Sequence, residues 1–157
     1  MPNKLLIIAH CPSPNTQLMA NGILEGARSI AESERSAVLK SPFACHAEDV
    51  LQASAVILFT TENFGYMNGA LKDLFERIYY PCLEDQNRNQ AKPYSLIIKA
   101  GMDGTGADTS VNKIVTGLKW RKIQETLLCK GDFNDAFVSD CRTMGKTMQA
   151  MVDSQLI

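Results

Sequence analysis

The sequence lacks the features that mark several large classes of protein. It has no CxxC pair, and its 5 cysteines are an odd number, which argues against a disulfide framework and a zinc site and favours a reducing compartment. No apolar run approaches the ~20 residues of a membrane span, and the segment after Met1 has no basic region or cleavage site of a signal peptide. We therefore predict a cytoplasmic protein with no metal and no membrane span.

An excess of charge of one sign is also missing. The 16 Lys and Arg residues nearly balance the 17 Asp and Glu residues, and the formal net charge is -1. A surface for a polyanion needs a basic excess, so the composition argues against nucleic acid as a partner. The chain has no repeat and no low-complexity stretch, and its 157 residues fit the size of one domain. We predict a single domain over residues 1–157.

What the sequence does contain is a series of short apolar runs separated by segments of helical period. Residues 4–9, 55–59, 95–98 and 126–129 are apolar almost throughout, as expected of strands that are covered on both faces. A weaker run lies at 37–39. Strands that alternate with helices form a parallel sheet through right-handed crossovers. Five such units predict an α/β fold, a three-layer α/β/α domain with a five-stranded parallel sheet of order 2-1-3-4-5.

The boundaries of some elements can be predicted as well. The helix after the first strand is expected to begin near Thr16 or Gln17, and the helix after the third strand is expected over residues 70–79. A short helix is expected around 48–53. The only polar stretch long enough to be a mobile loop is 84–93.

The loop after the first strand is the first candidate for a binding site, because ligands of open α/β sheets bind at the carboxyl ends of the strands. It contains Ser13, Asn15 and Thr16 but no Lys or Arg. A helix amino terminus can bind an anion through its unpaired N–H groups, and these side chains would add donors. The same residues are also common helix caps. For this loop alone both interpretations stay open.

Other anion-binding motifs are absent. There is no GxxxxGK[ST] motif and no GxGxxG after the first strand, which argues against a nucleotide triphosphatase and a dinucleotide-binding fold. A thiol phosphatase that used Cys11 would need arginine where Gln17 stands. A receiver domain would need clustered carboxylates, and His10 and Thr60 occupy those positions.

The loops after the third and fourth strands carry aromatic residues and glycines. Phe64 and Tyr66 can lie against a flat ring, and the glycines of residues 60–69 and 100–107 let the backbone approach it. The alternative is that the two aromatic side chains only cover the end of the sheet. With the first loop, these segments predict a site for an anion joined to a planar group, and FMN has that shape.

Two segments carry a resemblance to a known family. CPSPNT at 11–16 resembles the flavodoxin phosphate loop, [ST]-x-[ST]-x-[NG]-T, and ENFGYMNGALKDLFER at 62–77 resembles the flavin-ring loop and helix of flavodoxin-like NAD(P)H-dependent oxidoreductases. The resemblance extends over essentially the whole chain, to a final helix with Gly145 where this family often has glycine. Two departures predict modest affinity for FMN: Cys11 replaces a hydroxyl residue, and Pro14 removes a backbone donor.

The resemblance implies FMN as the cofactor and NAD(P)H as the co-substrate. It implies that residues of the first loop hold the phosphate, that 62–66 lie along the isoalloxazine and that 101–104 lie at its other edge. It assigns no catalytic residue. The full set of expected cofactor-binding residues is Cys11, Ser13, Asn15, Thr16, Gln17, Thr61, Glu62, Asn63, Phe64, Gly65, Tyr66, Gly101, Met102, Asp103 and Gly104.

We expect an enzyme in which NAD(P)H reduces FMN and the flavin passes electrons to a quinone, a free flavin or another small acceptor. The loop after the fourth strand has no aromatic residue to cover the second face of the ring, which favours a small substrate. The alternative is a non-enzymatic electron carrier for a redox protein, and a third hypothesis is a quinone- or flavin-responsive binding module. The aromatic residues of 63–66, with Tyr79 and Tyr80, also predict a homodimer interface.

Overall fold

The computed structural model describes residues 4–157, over which strands and helices alternate. The strands are β1 (Leu5–Ala9), β2 (Ala37–Lys40), β3 (Ala55–Asn63), β4 (Tyr66–Met67), β5 (Pro93–Ala100), β6 (Arg121–Lys122) and β7 (Leu127–Lys130). The helices are α1 (Pro14–Arg28), α2 (Ala47–Gln52), α3 (Gly69–Glu84), α4 (Gln86–Asn89), α5 (Thr105–Gly117) and α6 (Asp135–Asp153), with short 3-10 helices at Glu34–Ser36 and Pro42–Ala44.

The main sheet is parallel and has the strand order that the sequence predicted. β2, β1, β3 and β5 lie side by side in that order. The fifth position is shared, since β6 pairs with the first two residues of β5 and β7 pairs with its last four. The order 2-1-3-4-5 is therefore confirmed, with β4 added as a short antiparallel partner at the end of β3.

Both faces of the sheet are covered by helices, which explains the nearly continuous apolar runs. On one face Leu6 and Ile8 of β1 pack in a cluster with residues of α2, α3 and α5. On the other face Leu5 and Ile7 pack in a cluster with residues of α1 and α6. A strand buried on both sides has no polar alternation, because neither set of side chains meets water.

α1 and α6 lie in backbone contact at two glycines. A Cβ atom on Gly26 would overlap the carbonyl oxygen of Arg142, and one on Gly145 would overlap that of Ile23. Glycine is thus required at both positions by the closeness of the two helices rather than by backbone conformation. The contact joins the second half of α1 to the middle of α6.

Two expected helix boundaries are wrong. α1 begins at Pro14, before Thr16 and Gln17, because Ser13 caps the helix and proline is well suited to its first position. α3 begins at Gly69 after its cap Asn68 and continues past Tyr79 to Glu84. Its last turn includes Pro81, which is exposed.

The segment 84–93 is not the mobile loop that its polar composition predicts. It contains α4, and the guanidinium of Arg88 forms ion pairs with Asp85 and Glu48, both at 2.8 Å. Asn89 and Lys92 are buried. The Asn89 side chain donates to the carbonyl of Leu118 and accepts from the Trp120 indole. Tertiary contacts thus order a segment that appears featureless in sequence.

Within residues 4–157, no helix has the length and apolar character needed to cross a bilayer.

Candidate functional site

A cleft of about 430 Å³ opens at the carboxyl ends of β1, β3, β5 and β7. β1 lies between β2 and β3, so the cleft is at the point where the direction of strand addition reverses, which is where open α/β sheets bind ligands. Its volume is within the roughly 300–1,000 Å³ of small-molecule sites. The lining residues are Ser13, Asn15, Thr16, Met19, Thr61, Glu62, Asn63, Lys99, Gly101, Gly131, Asp132 and Phe133.

The first turn of α1 forms one wall of the cleft, and most of its polar groups already have partners. The Thr16 N–H donates to Ser13 Oγ at 3.2 Å, and the Ser13 N–H donates to Thr16 Oγ1 at 3.1 Å. The Gln17 N–H donates to the Ser13 carbonyl, and Pro14 has no N–H. Among the described residues, Asn15 thus has the one N–H of this turn for which no acceptor is found. The cap interpretation is confirmed, and the anion interpretation stays a prediction for which one N–H of this turn is free.

Lys99 supplies a positive charge that the sequence analysis missed. It is the one cationic side chain among the cleft-lining residues, where Glu62 and Asp132 are the carboxylates. Its Nζ donates to the carbonyl of Gly131 and lies 5.7 Å from the centroid of the Phe137 ring. These contacts hold the ammonium at the end of β5. Its place next to the end of an apolar run is visible in the sequence, but the direction of its side chain is not.

Two glycines leave open space in the wall of the cleft. A Cβ atom built on Gly101 or on Gly131 would meet no other atom within 4 Å. Gly131 has φ +86°, which itself favours glycine, but the backbone of Gly101 is in a region open to any residue. Neither the backbone conformation nor the packing of the protein therefore explains why glycine occupies position 101.

The loop after β5 is fixed by contacts on both sides. The Met102 N–H donates to Glu62 Oε1 at 2.9 Å, which ties this loop to the end of β3. The Thr105 N–H donates to Asp103 Oδ1 at 3.0 Å, and this hydrogen bond lowers the pKa of the Asp103 carboxyl. Gly104 caps α5 with φ 73°. The segment is thus an ordered rim of the cleft.

The aromatic segment after the third strand is a hairpin rather than a loop. β3 continues to Asn63, which pairs with Tyr66 of β4, and Phe64 and Gly65 form the turn with φ 53° and 69°. The Met67 N–H donates to Ser110 Oγ, which fixes the hairpin to α5. Phe64 is fully exposed and Tyr66 is 42% exposed, so neither covers the end of the sheet. Neither side chain lines the cleft.

The structure brings together about half of the residues that the sequence predicted for the site. Ser13, Asn15, Thr16, Thr61, Glu62, Asn63 and Gly101 line the cleft. Outside the lining are Cys11, Gln17, Phe64, Gly65, Tyr66, Met102, Asp103 and Gly104.

Two of the residues outside the lining, Cys11 and Gln17, make contacts elsewhere in the protein. Cys11 packs against the cluster under α1, and burial raises the pKa of its thiol. The Gln17 side chain donates to Asn21 one turn along α1.

The loop after the fifth strand contains lining residues that were not predicted from the sequence. Gly131, Asp132 and Phe133 line the cleft between β7 and α6. Only the loops after the first, third and fourth strands were considered, although all five parallel strands end at the same edge of the sheet. The topology itself was therefore the signal that could have found these residues.

Comparison with known proteins gives a clear result for the fold alone. No family model matches the chain, and no curated protein matches its sequence. The structure is similar to a flavodoxin from the domain Archaea, with TM-score 0.78, 15% identity and coverage of 96% of this chain and 99% of that one. It is similar to the two-electron reduced flavodoxin of Megasphaera elsdenii, with TM-score 0.74, 13% identity and coverage of 93% and 98%.

A third similar structure is a flavodoxin, WrbA-like protein from Agrobacterium tumefaciens. Its TM-score is 0.74 at 12% identity, and the match covers 98% of this chain and 99% of that one. Sequence identities this low carry the fold and not the activity. The chain has the flavodoxin-like fold, as the sequence predicted.

Proposed function

We propose that this protein binds FMN in the cleft and transfers electrons from NAD(P)H to a quinone, a flavin or another small acceptor. The observation that carries the proposal is the form of the cleft. A helix amino terminus with an unpaired N–H and a lysine lies at the same opening as a glycine whose missing side chain leaves unfilled space. This combination fits a ligand with an anionic group and a flat body.

The phosphate of FMN would be held by the first turn of α1 and by Lys99. The N–H of Asn15 is available, and the hydroxyls of Ser13 and Thr16 can add hydrogen bonds if their mutual contact, 3.0 Å between oxygens, rearranges. A charged hydrogen bond contributes roughly 1.5–3 kcal/mol. Because the capping interactions must be exchanged, we expect modest rather than very tight affinity.

The flavin ring would lie beside Gly101, along the end of β3. Thr61, Glu62 and Asn63 line that part of the cleft, and the hydrogen bond between Glu62 and the Met102 N–H keeps its two sides together. When bound, FMN supplies the redox chemistry, since it can accept two electrons from a nicotinamide and give them to an acceptor. The residues of the chain bind and orient it, and none is assigned a proton-transfer role.

The similar structures support a redox function of this kind. One is a flavodoxin studied in its two-electron reduced state, and another is a WrbA-like flavodoxin. Both match this chain over nearly its whole length. They support the flavin as ligand, while the nicotinamide donor and the small acceptor rest on the resemblance of residues 62–77.

A non-enzymatic electron carrier is the second candidate, and the surface at the hairpin favours it. Phe64 and Met102 are 107% and 72% exposed, and Tyr66 is partly exposed. Exposed apolar side chains beside a binding cleft are typical of a surface that meets a protein partner. The same surface would also suit the homodimer that the aromatic residues predict, and sedimentation velocity would test that dimer.

Steady-state kinetics with FMN-loaded protein tests the enzyme proposal. We expect oxidation of NADH or NADPH that depends on an added quinone or free flavin, at a rate proportional to protein concentration. The loaded protein without acceptor is the control. If the flavin stays bound but neither nicotinamide is oxidised with any acceptor, the enzyme proposal fails and the carrier is favoured.

A further inference from the structure

A second and larger cavity, of about 850 Å³, lies at the amino ends of the strands, on the opposite side of the sheet from the cleft at their carboxyl ends. It is formed where β1 and β2 begin and where α1 and α2 end. Val38 of the edge strand β2 contributes to its lining. Within residues 4–157, β2 is hydrogen-bonded to no strand other than β1, so it is the outermost strand on that side of the sheet. Its volume lies within the range of ligand sites, roughly 300–1,000 Å³.

The charge of this cavity differs from that of the molecule as a whole. Lys4, Arg28, Arg35 and Arg88 line it, and Glu34 is the one carboxylate in the lining, although the chain has a net charge of -1. Arg88 is already neutralised by Asp85 and Glu48. Among residues 4–157, the other three cations have no carboxylate within 4.0 Å. Three uncompensated cations therefore face one carboxylate.

The polar groups of the cavity are suited to phosphate oxygens. Arg28 uses one nitrogen to donate to the Ala37 carbonyl at 3.3 Å, which holds its guanidinium near β2 while other N–H groups remain available. Ser33 and Ser36 line the cavity with hydroxyls 3.3 Å apart. Arginine forms paired hydrogen bonds to phosphate, and hydroxyls add further donors. Val38 and the aliphatic parts of Lys4 and Arg28 offer apolar surface to an organic group.

We infer that this cavity binds an organic phosphate of nucleotide size that carries at least two negative charges. The phosphates lie against Arg28 and Arg35, and the organic group lies toward Val38. The site is on the opposite side of the sheet from the FMN cleft, so its ligand does not exchange electrons with a flavin there. The inference stands whether or not FMN binds.

Titration of the ¹⁵N-labelled full-length protein with ADP tests the inference. We expect saturable amide shifts at Arg28, at residues 33–36 and at Val38, and no comparable shifts at residues 13–16 or 61–63. Arg28→Gln and Arg35→Gln should each weaken ADP binding about tenfold, since each removes charged hydrogen bonds. Lys146→Gln is the matched control, because it removes the same charge from an exposed position of α6 outside the cavity.

Competing ligands separate the phosphate from the organic group. Adenosine should bind at least about tenfold more weakly than ADP, because it lacks the charge, and inorganic pyrophosphate should also bind more weakly, because it lacks the organic group. Absence of saturable shifts up to millimolar ADP would overturn the inference. So would shifts confined to the FMN cleft, an equal effect of Lys146→Gln, or adenosine or pyrophosphate binding as tightly as ADP.

Discussion

At the scale of a single residue, substitution of Gly101 tests whether FMN lies against this part of the cleft. Gly101→Ala should leave the free energy of unfolding unchanged or raise it slightly, because the added methyl group meets no atom and the backbone conformation suits alanine. The same methyl group would narrow the cleft. We expect FMN binding to weaken at least about fivefold, as overpacking costs about 1–3 kcal/mol. Urea unfolding and flavin titration measure the two effects.

Gly69→Ala is the matched control for that variant. Its Cβ atom also meets nothing within 4 Å, but Gly69 is the first residue of α3 and does not line the cleft. It should leave FMN binding unchanged, and it should leave stability unchanged or raise it slightly, as Gly101→Ala does. Equal FMN affinity in the Gly101→Ala variant and the wild type would show that the ligand does not approach Gly101.

Lys99 provides a second prediction at the residue scale. Lys99→Gln should weaken FMN binding at least about tenfold, because a charged interaction of about 1.5–3 kcal/mol is lost, and should leave riboflavin binding nearly unaffected. The dependence of FMN affinity on salt should fall as well. Titrations at two ionic strengths measure both, with Lys146→Gln as the control at an exposed position of α6 outside the cleft. A similar loss for riboflavin would place Lys99 away from the phosphate.

The residues of the site could be predicted from sequence only in part. Ser13, Asn15 and Thr16 were found because the first loop of such a sheet meets the ligand edge. Lys99 was missed because it lies inside a strand, and its direction depends on which face that strand presents there. Phe64 was expected against the ring because of its residue type, but the hairpin places its side chain in solvent. The type of a residue does not determine the direction in which its side chain points.

At the scale of elements, α1 and α6 are in backbone contact at Gly26 and Gly145. Gly145→Ala should lower the free energy of unfolding by about 3 kcal/mol or more, because the methyl group would overlap the backbone of Ile23. Helix propensity alone would favour the change by about 1 kcal/mol. Thermal and urea unfolding measure the net effect, with Gly69→Ala as the control. An increase in stability would mean that the helices are not in contact at this point.

The order of the elements was predictable, but several boundaries were not. The alternation of apolar runs with segments of helical period predicted a parallel sheet of five strands with the observed order. α1 begins two residues earlier than expected because the Ser13–Thr16 capping pair includes Pro14 in the helix. The 84–93 segment is ordered by Arg88, whose partner Glu48 is 40 residues away in sequence. Contacts at that distance leave no local pattern.

At the scale of the whole molecule, burial of Lys92 should affect how the free energy of unfolding depends on pH. Its side chain is 5% exposed and donates to the Ala53 carbonyl, and burial lowers its pKa to about 8. In the unfolded chain a lysine keeps its proton up to about pH 10.4. Between about pH 8 and pH 10 the unfolded state therefore binds more protons, so this lysine makes stability rise with pH.

Comparison with Lys92→Met isolates that contribution. Burial raises the pKa of Cys82 to about 11 and that of Cys45 to about 12, which makes stability fall with pH above about 9. Because the charge of Lys92 lowers the pKa of Cys82, both proteins carry Cys82→Ala, so that the lysine titration is compared alone. The protein that keeps Lys92 should gain about 2 kcal/mol relative to Lys92→Met from pH 8 to pH 10. Urea unfolding across this range measures it. If the free energy of unfolding changes with pH in the same way in both proteins, Lys92 does not have a lowered pKa in the folded state.

Flavin binding by the whole, folded protein is the central claim. It is tested most directly by titrating FMN with the ligand-free protein and following flavin fluorescence, while circular dichroism confirms that the protein is folded. We predict saturable 1:1 binding of FMN, with riboflavin bound at least about tenfold more weakly because it lacks the phosphate. Folded protein that gives no saturable change in FMN fluorescence, or that binds riboflavin as tightly as FMN, would contradict the account.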